Sequence, residues 1–460
     1  MKSSAPPLQR RDMLAWFENS QRRENQLIGT EQEKFGVCID RRRQTVVPVD
    51  YAQHISPLLS ALCERFGWQP SPERGVDGET VGLVREGASI TLEPGGQLEL
   101  SGAPLRTLHE TCEEFTNHQR ELHEAASSLD LAFLAAGFHP FARREEINWM
   151  PKGRYRVMRD YLPQQGGQGL DMMLRTCTVQ ANFDYADEQQ CGRRLKLALE
   201  SSSLVTAVFA NSPYREGRDV SYVSTRSAVW SDVDPARCGL LGFAMNDAGF
   251  SYEHYVDWAL DVPMFFVKRG NVYHPHHAPF RTFMQRGFRD VDQTLHRASR
   301  TDWELHLSTL FPEVRLKPYL EIRGADSVSS KYLCAVPAFA KGLLCDEDAL
   351  EEASSLLAGL DFAQRLELWE EARRYGLKSP RVHKLCKRLL ALARDGLDRI
   401  DIRDASGRSE ARYLDSLEPL VESGLTPADE AITDIGPNPG TDEHGRRACV
   451  RQFYFAGVEL

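Results

Sequence analysis

The stretch YLEIRGAD at residues 319–326, with VRLKP at 314–318 before it, alternates polar and apolar residues. Successive side chains of a strand point to opposite faces, so a strand here places these polar side chains together: Arg315, Lys317, Tyr319, Glu321 and Arg323. Three cations then flank one carboxylate. This suits a metal-bound polyphosphate, because a carboxylate holds Mg²⁺ and guanidinium groups hold phosphoryl oxygens. A solvated strand with salt bridges between residues i and i+2 is the alternative that this stretch alone supports equally well.

Composition places the chain among ordinary globular proteins and excludes several classes. Its 460 residues allow more than one domain, and 42% are hydrophobic and 27% charged. The net charge is −10 and the basic residues are interspersed with acids, so we expect no nucleic-acid partner. The sequence contains no run of about 18 apolar residues, so we expect no membrane span. The N-terminus lacks the apolar core of a secretory signal. Ten cysteines without a CxxC pair predict reduced, mostly buried thiols.

Four further glutamates lie on candidate strands. Glu31 and Glu33 share one face of a strand predicted over 30–37, and Glu93 and Glu99 flank a hairpin turn within 89–101. Carboxylates at positions i and i+2 repel each other unless a cation lies between them. Mg²⁺ prefers oxygen ligands and takes few from each strand, so this set predicts a metal site assembled across a sheet. A solvent-facing edge strand is the alternative for the first pair.

Three other segments carry groups suited to a polar ligand. A strand over 175–184 presents Gln180 and Asn182 on an uncharged polar face, which makes either the wall of a binding site or an ordinary wet face of a sheet. In TRSAVWSD, Arg226 and Trp230 are candidates for a carboxylate clamp and a pocket wall. Lys152 and Arg154 could receive an anion, or could belong to a basic loop without such a role.

The chain organisation predicts three parts. Residues 1–28 form a helical lead-in, 29–345 a catalytic domain, and 346–460 a helical part packed on it. A capping box at Thr107 and Glu110 starts a helix over 108–130.

These motifs together resemble one known family. The segments that carry the resemblance are GTEQEKFG, ITLEPGGQLELSGAPLRTLHETC, MPKGRYRVMRDY, GLDMMLRTCTVQANFDY, ANSPYREG, TRSAVWSD, YVDWALDVPMFFV and FPEVRLKPYLEIRGAD, with GLKSP and LARDGL further on. From about Gly29 to about Ala428 the chain is similar, in register, to the plant and proteobacterial type of glutamate–cysteine ligase.

The resemblance implies an α+β fold like that of glutamine synthetase, with a curved, mainly antiparallel sheet, packed helices and a helical C-terminal part. It implies activation of the γ-carboxylate of L-glutamate by ATP and Mg²⁺ as γ-glutamyl phosphate. Attack by the amine of L-cysteine then gives γ-glutamylcysteine, the first step of glutathione biosynthesis.

The resemblance also implies roles for the residues singled out above. The metal ligands would be Glu31, Glu33, Glu93, Glu99 and Glu321. Arg323 would act catalytically with Glu321 on the phosphate side, and Arg315 and Lys317 would bind the nucleotide. The substrate-binding set would be Arg154, Arg226, Trp230, Gln180 and Asn182.

One departure from the plant pattern limits what carries over. The region at about 272–300, where plant members have a redox-active cysteine pair, contains no cysteine, and no long transit peptide precedes the match. We therefore expect a cytoplasmic enzyme without the plant thiol switch, as a monomer or weak homodimer. A sister ligase using another amine, or a non-catalytic binding protein on the same fold, remains an alternative; loss of metal carboxylates would mark the latter, and none is lost.

Overall fold

The computed structural model describes residues 8–40, 45–246 and 249–460. Its strands, in chain order, are β1 (Ile28–Asp40), β2 (Thr45–Pro48), β3 (Gln69–Pro70), β4 (Gly82–Arg85), β5 (Ala88–Leu92), β6 (Leu98–Ser101), β7 (Leu131–Leu134), β8 (Thr178–Phe183), β9 (Tyr214–Arg215), β10 (Arg218–Asp219), β11 (Cys238–Gly239), β12 (Phe266–Arg269), β13 (Val272–Pro275), β14 (Phe288–Arg289), β15 (Leu295–His296), β16 (Phe311–Pro312), β17 (Val314–Leu316), β18 (Leu320–Asp326) and β19 (Tyr454–Gly457).

The helices are α1 (Arg10–Glu18), α2 (Ser56–Phe66), α3 (Leu108–Ser127), α4 (Gly153–Tyr161), α5 (Gly169–Arg175), α6 (Glu188–Val208), α7 (Thr225–Trp230), α8 (Gly242–Met245), α9 (Tyr252–Asp261), α10 (Phe280–Arg286), α11 (Arg300–Leu307), α12 (Ser330–Leu333), α13 (Ala335–Leu344), α14 (Glu347–Leu357), α15 (Phe362–Tyr375), α16 (Pro380–Ile400), α17 (Glu418–Ser423), α18 (Pro427–Ile435) and α19 (Glu443–Gln452). None of the described helices is long and apolar enough to cross a membrane.

One antiparallel sheet organises the molecule. Its main path runs β17-β18-β8-β1-β6-β5-β4-β3, and β2, β7 and β19 extend it. The long strand β1 takes part twice: residues 28–34 pair with β8 or β6, and residues 35–40 pair with β7 or β2. The glutamates of β1 therefore lie at the centre of the sheet, with partner strands on both sides.

The deciding stretch 314–326 folds as a tight hairpin, where a single strand was predicted. The chain turns between β17 and β18, and the Lys317 amide donates to the Tyr319 carbonyl at 2.8 Å. Pro318 lies in this turn and has no N–H to give to a strand partner. Arg315 consequently stands directly opposite Glu321. The predicted cations and carboxylate still meet, but they do so across the hairpin.

The glutamate-bearing hairpin β5–β6 has the predicted turn. Gly96 adopts a φ of +84°. Glycine is favoured at such a positive φ because glycine has no Cβ. A Cβ on Gly95 would lie 2.6 Å from the Leu174 carbonyl oxygen at the end of α5. Both glycines are therefore needed for the turn to form and to seat against α5.

Helices cover the sheet, and the C-terminal part joins the rest of the molecule. The predicted capping box of α3 is present: the Glu110 amide donates to Thr107 Oγ1 at 3.1 Å and the Thr107 amide to Glu110 Oε2 at 2.9 Å. Helix α16 packs against α13, and β19 pairs with β7 in the central sheet. Of the lead-in predicted over 1–28, α1 is helical, and residues 1–7 lie outside the described range.

The prediction that all cysteines are reduced is wrong in one place. Cys112 on α3 and Cys334 after α12 form a disulfide with Cα atoms 5.8 Å apart, although 222 residues separate them in sequence. Two isolated cysteines carry no pairing signal until the fold brings them together. Cys177, Cys191 and Cys386 are free and buried, as expected of structural thiols.

Candidate active site

A cavity of about 420 Å³ opens on the face of the sheet where β1, β6, β8 and β18 meet. It unites most of the residues that the sequence singled out: Glu31, Glu33, Glu93, Glu99, Arg154, Gln180, Arg226, Trp230, Arg315, Lys317 and Arg323. Glu321 lies behind this lining and is fully buried, and Asn182 lines a neighbouring cavity of about 270 Å³. Segments far apart in sequence therefore build one site.

Glu321 is held by three cations on one wall. Arg315 makes a bidentate contact, with Nε 2.6 Å from Oε2 and Nη2 2.9 Å from Oε1. Lys317 Nζ lies 2.8 Å from Oε1, and Arg323 Nη1 lies 2.9 Å from Oε2. Burial alone would raise the pKa of Glu321, but these cations hold it well below its ordinary value. The wall therefore has a surplus of positive charge over its one carboxylate.

The other four glutamates form an acidic part of the cavity lining. Glu33 and Glu99 are direct cross-strand partners. Burial, then repulsion by Glu321, raises the pKa of Glu31 to about 8. Burial, then repulsion by Glu99 and Glu93, raises the pKa of Glu33 well above its usual value.

Neutral donors already orient three of these carboxylates. Glu31 accepts from Asn182 Nδ2 at 3.1 Å, Glu33 accepts from the Thr178 amide at 2.9 Å, and Glu99 accepts from Thr91 Oγ1 at 2.6 Å. Within the described residues no three acids, histidines or cysteines are grouped closely enough to form a metal cluster as they stand. The mutual repulsion and the all-oxygen donor set nevertheless fit a divalent cation, which would relieve that repulsion.

The polar strand β8 links the acidic and the basic parts. Gln180 lies opposite Glu31, and Asn182 lies opposite both Gly29 and Glu321 in their paired strands. Gln180 Oε1 accepts from Arg323 Nη1 at 2.8 Å. These amides, predicted to bind substrate, thus contact the side chains that surround the cavity.

Arg226 and Trp230 lie together on α7 beside Arg323. Arg226 Nη2 donates to the Arg323 carbonyl at 2.7 Å, while its buried Nε has no partner in the structure. The Trp230 ring centre is 6.0 Å from the Arg226 guanidinium carbon and 5.7 Å from that of Arg323. Burial lowers the pKa of Arg226, which an anionic ligand would offset.

The sequence did not reveal why α7 is placed there. Asp326, fully buried at the end of β18, accepts from the Asn211 amide at 2.8 Å, Ser212 Oγ at 2.6 Å and Ser224 Oγ at 2.8 Å. Ser224 is the N-cap of α7, and Ser212 Oγ also accepts from the Arg226 amide at 3.2 Å. One buried carboxylate therefore fixes the start of the helix that carries Arg226. Only the position of Asp326 at the end of the deciding stretch could have suggested it.

Comparison with known structures identifies the fold. A glutamate–cysteine ligase from Francisella tularensis, solved in complex with AMP, aligns with a TM-score of 0.53. The alignment covers 93% of this chain and 89% of that chain at 14% identity, so the likeness is one of fold. The predicted α+β fold, with a mainly antiparallel sheet and packed helices, is confirmed.

Comparison with known sequences gives closer relatives. The chain is 43% identical to the chloroplastic glutamate–cysteine ligase of Arabidopsis thaliana, over 93% of this chain and 80% of that one. It is 42% identical to glutamate–cysteine ligase B, chloroplastic, of Oryza sativa subsp. japonica, over 93% of this chain and 84% of that one. The predicted cytoplasmic location is wrong by this comparison, because these relatives are chloroplastic enzymes.

The family assignment rests on a match that covers almost the full length of the chain. A family model described as glutamate-cysteine ligase family 2 matches residues 27–449. The matched range contains both walls of the cavity, the polar strand and α7. The chain therefore belongs to glutamate–cysteine ligase family 2.

Proposed function

We propose that the protein joins the γ-carboxylate of L-glutamate to the amine of L-cysteine at the expense of ATP, giving γ-glutamylcysteine, the first step of glutathione biosynthesis. The observation that carries this proposal is the cavity itself, which has three cations around Glu321 and four further carboxylates in its lining. A polyphosphate, metal ions and a substrate carboxylate can meet in such a place without like charges facing each other.

The chemistry needs positioning more than a protein nucleophile. A γ-carboxylate oxygen of glutamate attacks the γ-phosphorus of ATP, and ADP leaves with the electrons of the broken P–O bond. The amine nitrogen then attacks the acyl carbon; the new C–N bond forms as the C–O bond to phosphate breaks, and the nitrogen gives up its proton to solvent. Cations that neutralise the transferring group lower both barriers.

Each part of the cavity has a proposed role in these steps. Arg323, with Arg315 and Lys317, would bind phosphoryl oxygens, because the three cations carry more charge than Glu321 neutralises. Arg226 and Arg154, with Trp230 as a wall, would bind the glutamate substrate. Gln180 and Asn182 would keep Arg323 and Glu31 oriented.

The acidic part fits a magnesium site. The proposed ligands are Glu31, Glu33, Glu93, Glu99 and Glu321. Bound Mg²⁺ would neutralise phosphate and carboxylate oxygens brought close together. Glu321 is already matched by three cations, so it contributes less unneutralised charge to this set than the other four glutamates.

The adjoining cavity supports a place for the adenosine part of ATP. It shares Glu31, Ser101 and Tyr319 with the main cavity, so a nucleotide could extend from one into the other. Two buried oxygens there, Thr30 Oγ1 and Asn182 Oδ1, have no hydrogen-bond partner in the structure. Such groups favour a polar ligand over an empty space.

The testing experiment measures phosphate release from ATP and Mg²⁺ with glutamate, across a panel of amine acceptors, with the product identified by mass. We expect release to require glutamate and to be fastest with cysteine. Equal or faster turnover with another amine would make the protein a sister ligase.

A further inference from the structure

One buried cation of the cavity has no role in the functions proposed above. Lys152 is only 4% exposed and precedes α4 as its N-cap residue, and it lines the cavity. Its ammonium lies 3.8 Å from Glu73 Oε2, and the described part of the chain gives it no hydrogen bond. An ammonium that lines a cavity and has only one ion-pair partner among the described residues, at 3.8 Å, favours an anionic ligand in that cavity.

Glu73 provides the opposite charge beside it. This partly exposed carboxylate lies in the loop between β3 and β4 and also lines the cavity. An ammonium and a carboxylate that approach each other without a hydrogen bond leave both groups able to accept a ligand. An amino acid carries the two complementary charges on one carbon, so the pair suits a zwitterionic α-amino acid.

Lys152 adjoins Arg154, one of the two arginines proposed to bind glutamate, but it is not among the charged groups that act on Arg226 or on Glu321. The charged groups that act on Lys152 are Arg154, Glu73, Glu93 and Glu99. Those that act on Arg226 are Asp326, Glu313, Glu33 and Arg323. Arg315, Lys317 and Arg323 act on Glu321. The reaction brings four anionic groups together: a polyphosphate, the α- and γ-carboxylates of the donor and the carboxylate of the acceptor.

The surroundings of Lys152 suit a small thiol side chain. Tyr155, Met158 and Phe266 line the cavity, and the Lys152 ammonium is 5.8 Å from the Tyr155 ring centre. The hairpin β12–β13 closes over the start of α4, since a Cβ on Gly153 would lie 3.2 Å from the Tyr273 ring. Aromatic and thioether surfaces contact sulfur favourably.

We propose that Lys152 and Glu73 form the subsite for the acceptor amino acid, with Lys152 binding its carboxylate and Glu73 its ammonium group before the proton is lost. This assignment rests on the proposed ligase function. It makes Lys152 the residue by which the enzyme distinguishes an amino acid from a simple amine.

The experiment compares three acceptors: cysteine, 2-aminobutyrate, which has a carboxylate but no thiol, and cysteamine, which has a thiol but no carboxylate. Initial rates are measured for the full-length protein, Lys152→Met, Lys152→Arg and the control Lys331→Met. Lys331 is an exposed lysine paired with Glu430 and lies outside the cavity.

We expect Lys152→Met to raise the KM for cysteine and for 2-aminobutyrate about 10- to 100-fold, as for a lost charged hydrogen bond. In Lys152→Met, the KM for cysteamine and the KM for glutamate should each change less than about twofold. Lys152→Arg should keep part of the preference for acceptors that have a carboxylate over cysteamine. Unchanged glutamate affinity also shows that the variant is folded.

Three results would overturn the subsite: an equal rise in KM for cysteamine, a rise confined to glutamate, or no change with any acceptor. If the unmodified protein forms no γ-glutamyl product with any of the three, the ligase proposal fails and the subsite falls with it. Failure of the ligase proposal is distinguishable from failure of the subsite alone, because it is seen with the unmodified protein before any variant is compared.

Discussion

Arg323 connects the two halves of the cavity, because one of its nitrogens contacts both Gln180 and Glu321, at 2.8 and 2.9 Å. Lysine would keep the charge but lose the planar guanidinium, whose several N–H groups can bind a phosphoryl group while Nη1 keeps its two contacts. We expect Arg323→Lys to lower kcat about a hundred- to a thousandfold and to raise the KM for glutamate far less, because its contact strengthens as charge develops. Steady-state kinetics measure both values.

A matched control separates this role from a purely structural one. Arg237 is fully buried and pairs with Asp234 at 2.6 Å; it does not line the cavity itself, although it donates to the carbonyl of Thr309, which does. Arg237→Lys should lower the melting temperature with little loss of kcat. If Arg323→Lys behaves in the same way, Arg323 is only the salt-bridge partner of Glu321.

Glu31 should make the stability of the protein depend on pH and on divalent cations. Its pKa is raised from 4.5 to about 8, first by burial and then by Glu321. A pKa that is higher in the folded state stabilises the fold below the unfolded value, and that contribution is lost as pH rises from 4.5 toward 8. We therefore expect the melting temperature without Mg²⁺ to fall as the pH rises through this range. Added Mg²⁺ should raise the melting temperature most at the upper end of the pH range.

The variant Glu31→Gln checks the source of that effect by thermal melts across the same pH range. It should flatten the pH dependence and weaken the response to Mg²⁺, because the charge to be neutralised is gone. A response to Mg²⁺ as large as in the unmodified protein would remove Glu31 from the proposed metal set.

At the scale of elements, Asp326 is expected to hold α7 in place. Asparagine keeps the shape but turns an amide N–H₂ toward donors that need an acceptor. Asp326→Asn should cost about 1–3 kcal/mol of stability, and should raise the KM for glutamate because the start of α7 carries Arg226. Asp234→Asn, a buried acid outside the cavity, should lower stability alone. Chemical denaturation measures the stability of both variants, and steady-state kinetics measure their KM for glutamate. An unchanged KM for glutamate in Asp326→Asn would show that Asp326 does not position α7 for substrate binding.

Local sequence patterns predicted several of these elements well. The turn glycines gave the β5–β6 hairpin, the capping box gave the start of α3, and the alternation of polar residues gave β8. Each signal depends on neighbours a few residues apart, which one sequence displays directly.

Other elements escaped because long-range structure changes the pattern. Pro318 breaks the deciding stretch into two strands, and the pairing of β18 with β8 shifts register between Ile322 and Ala325. After that irregularity the alternation of faces no longer holds, so Asp326 could not be placed by counting. Lys152 was identified as a possible anion contact, but its burial and its distance from Glu73 depend on how the β3–β4 loop folds over α4.

At the scale of the whole molecule, the disulfide joins α3 to the end of α12 across 222 residues. A bond closing so long a loop restricts the unfolded chain and typically adds about 2–4 kcal/mol. We expect a thiol reductant to lower the melting temperature, and Cys112→Ser to abolish the difference between reduced and oxidised samples. The buried Cys386→Ser serves as a control that should keep that difference. Equal melting with and without reductant in the unmodified protein would contradict the pairing.

The central claim is that glutamate is activated as an acyl phosphate in this cavity. Glutamate labelled with ¹⁸O in its γ-carboxylate tests this most directly, with ATP, Mg²⁺ and cysteine present and the released phosphate examined by mass spectrometry. Because the oxygen that attacks the γ-phosphorus leaves with it, we expect one ¹⁸O in each phosphate and one retained in γ-glutamylcysteine. Release of unlabelled phosphate, or formation of product without phosphate release, would contradict the proposed reaction.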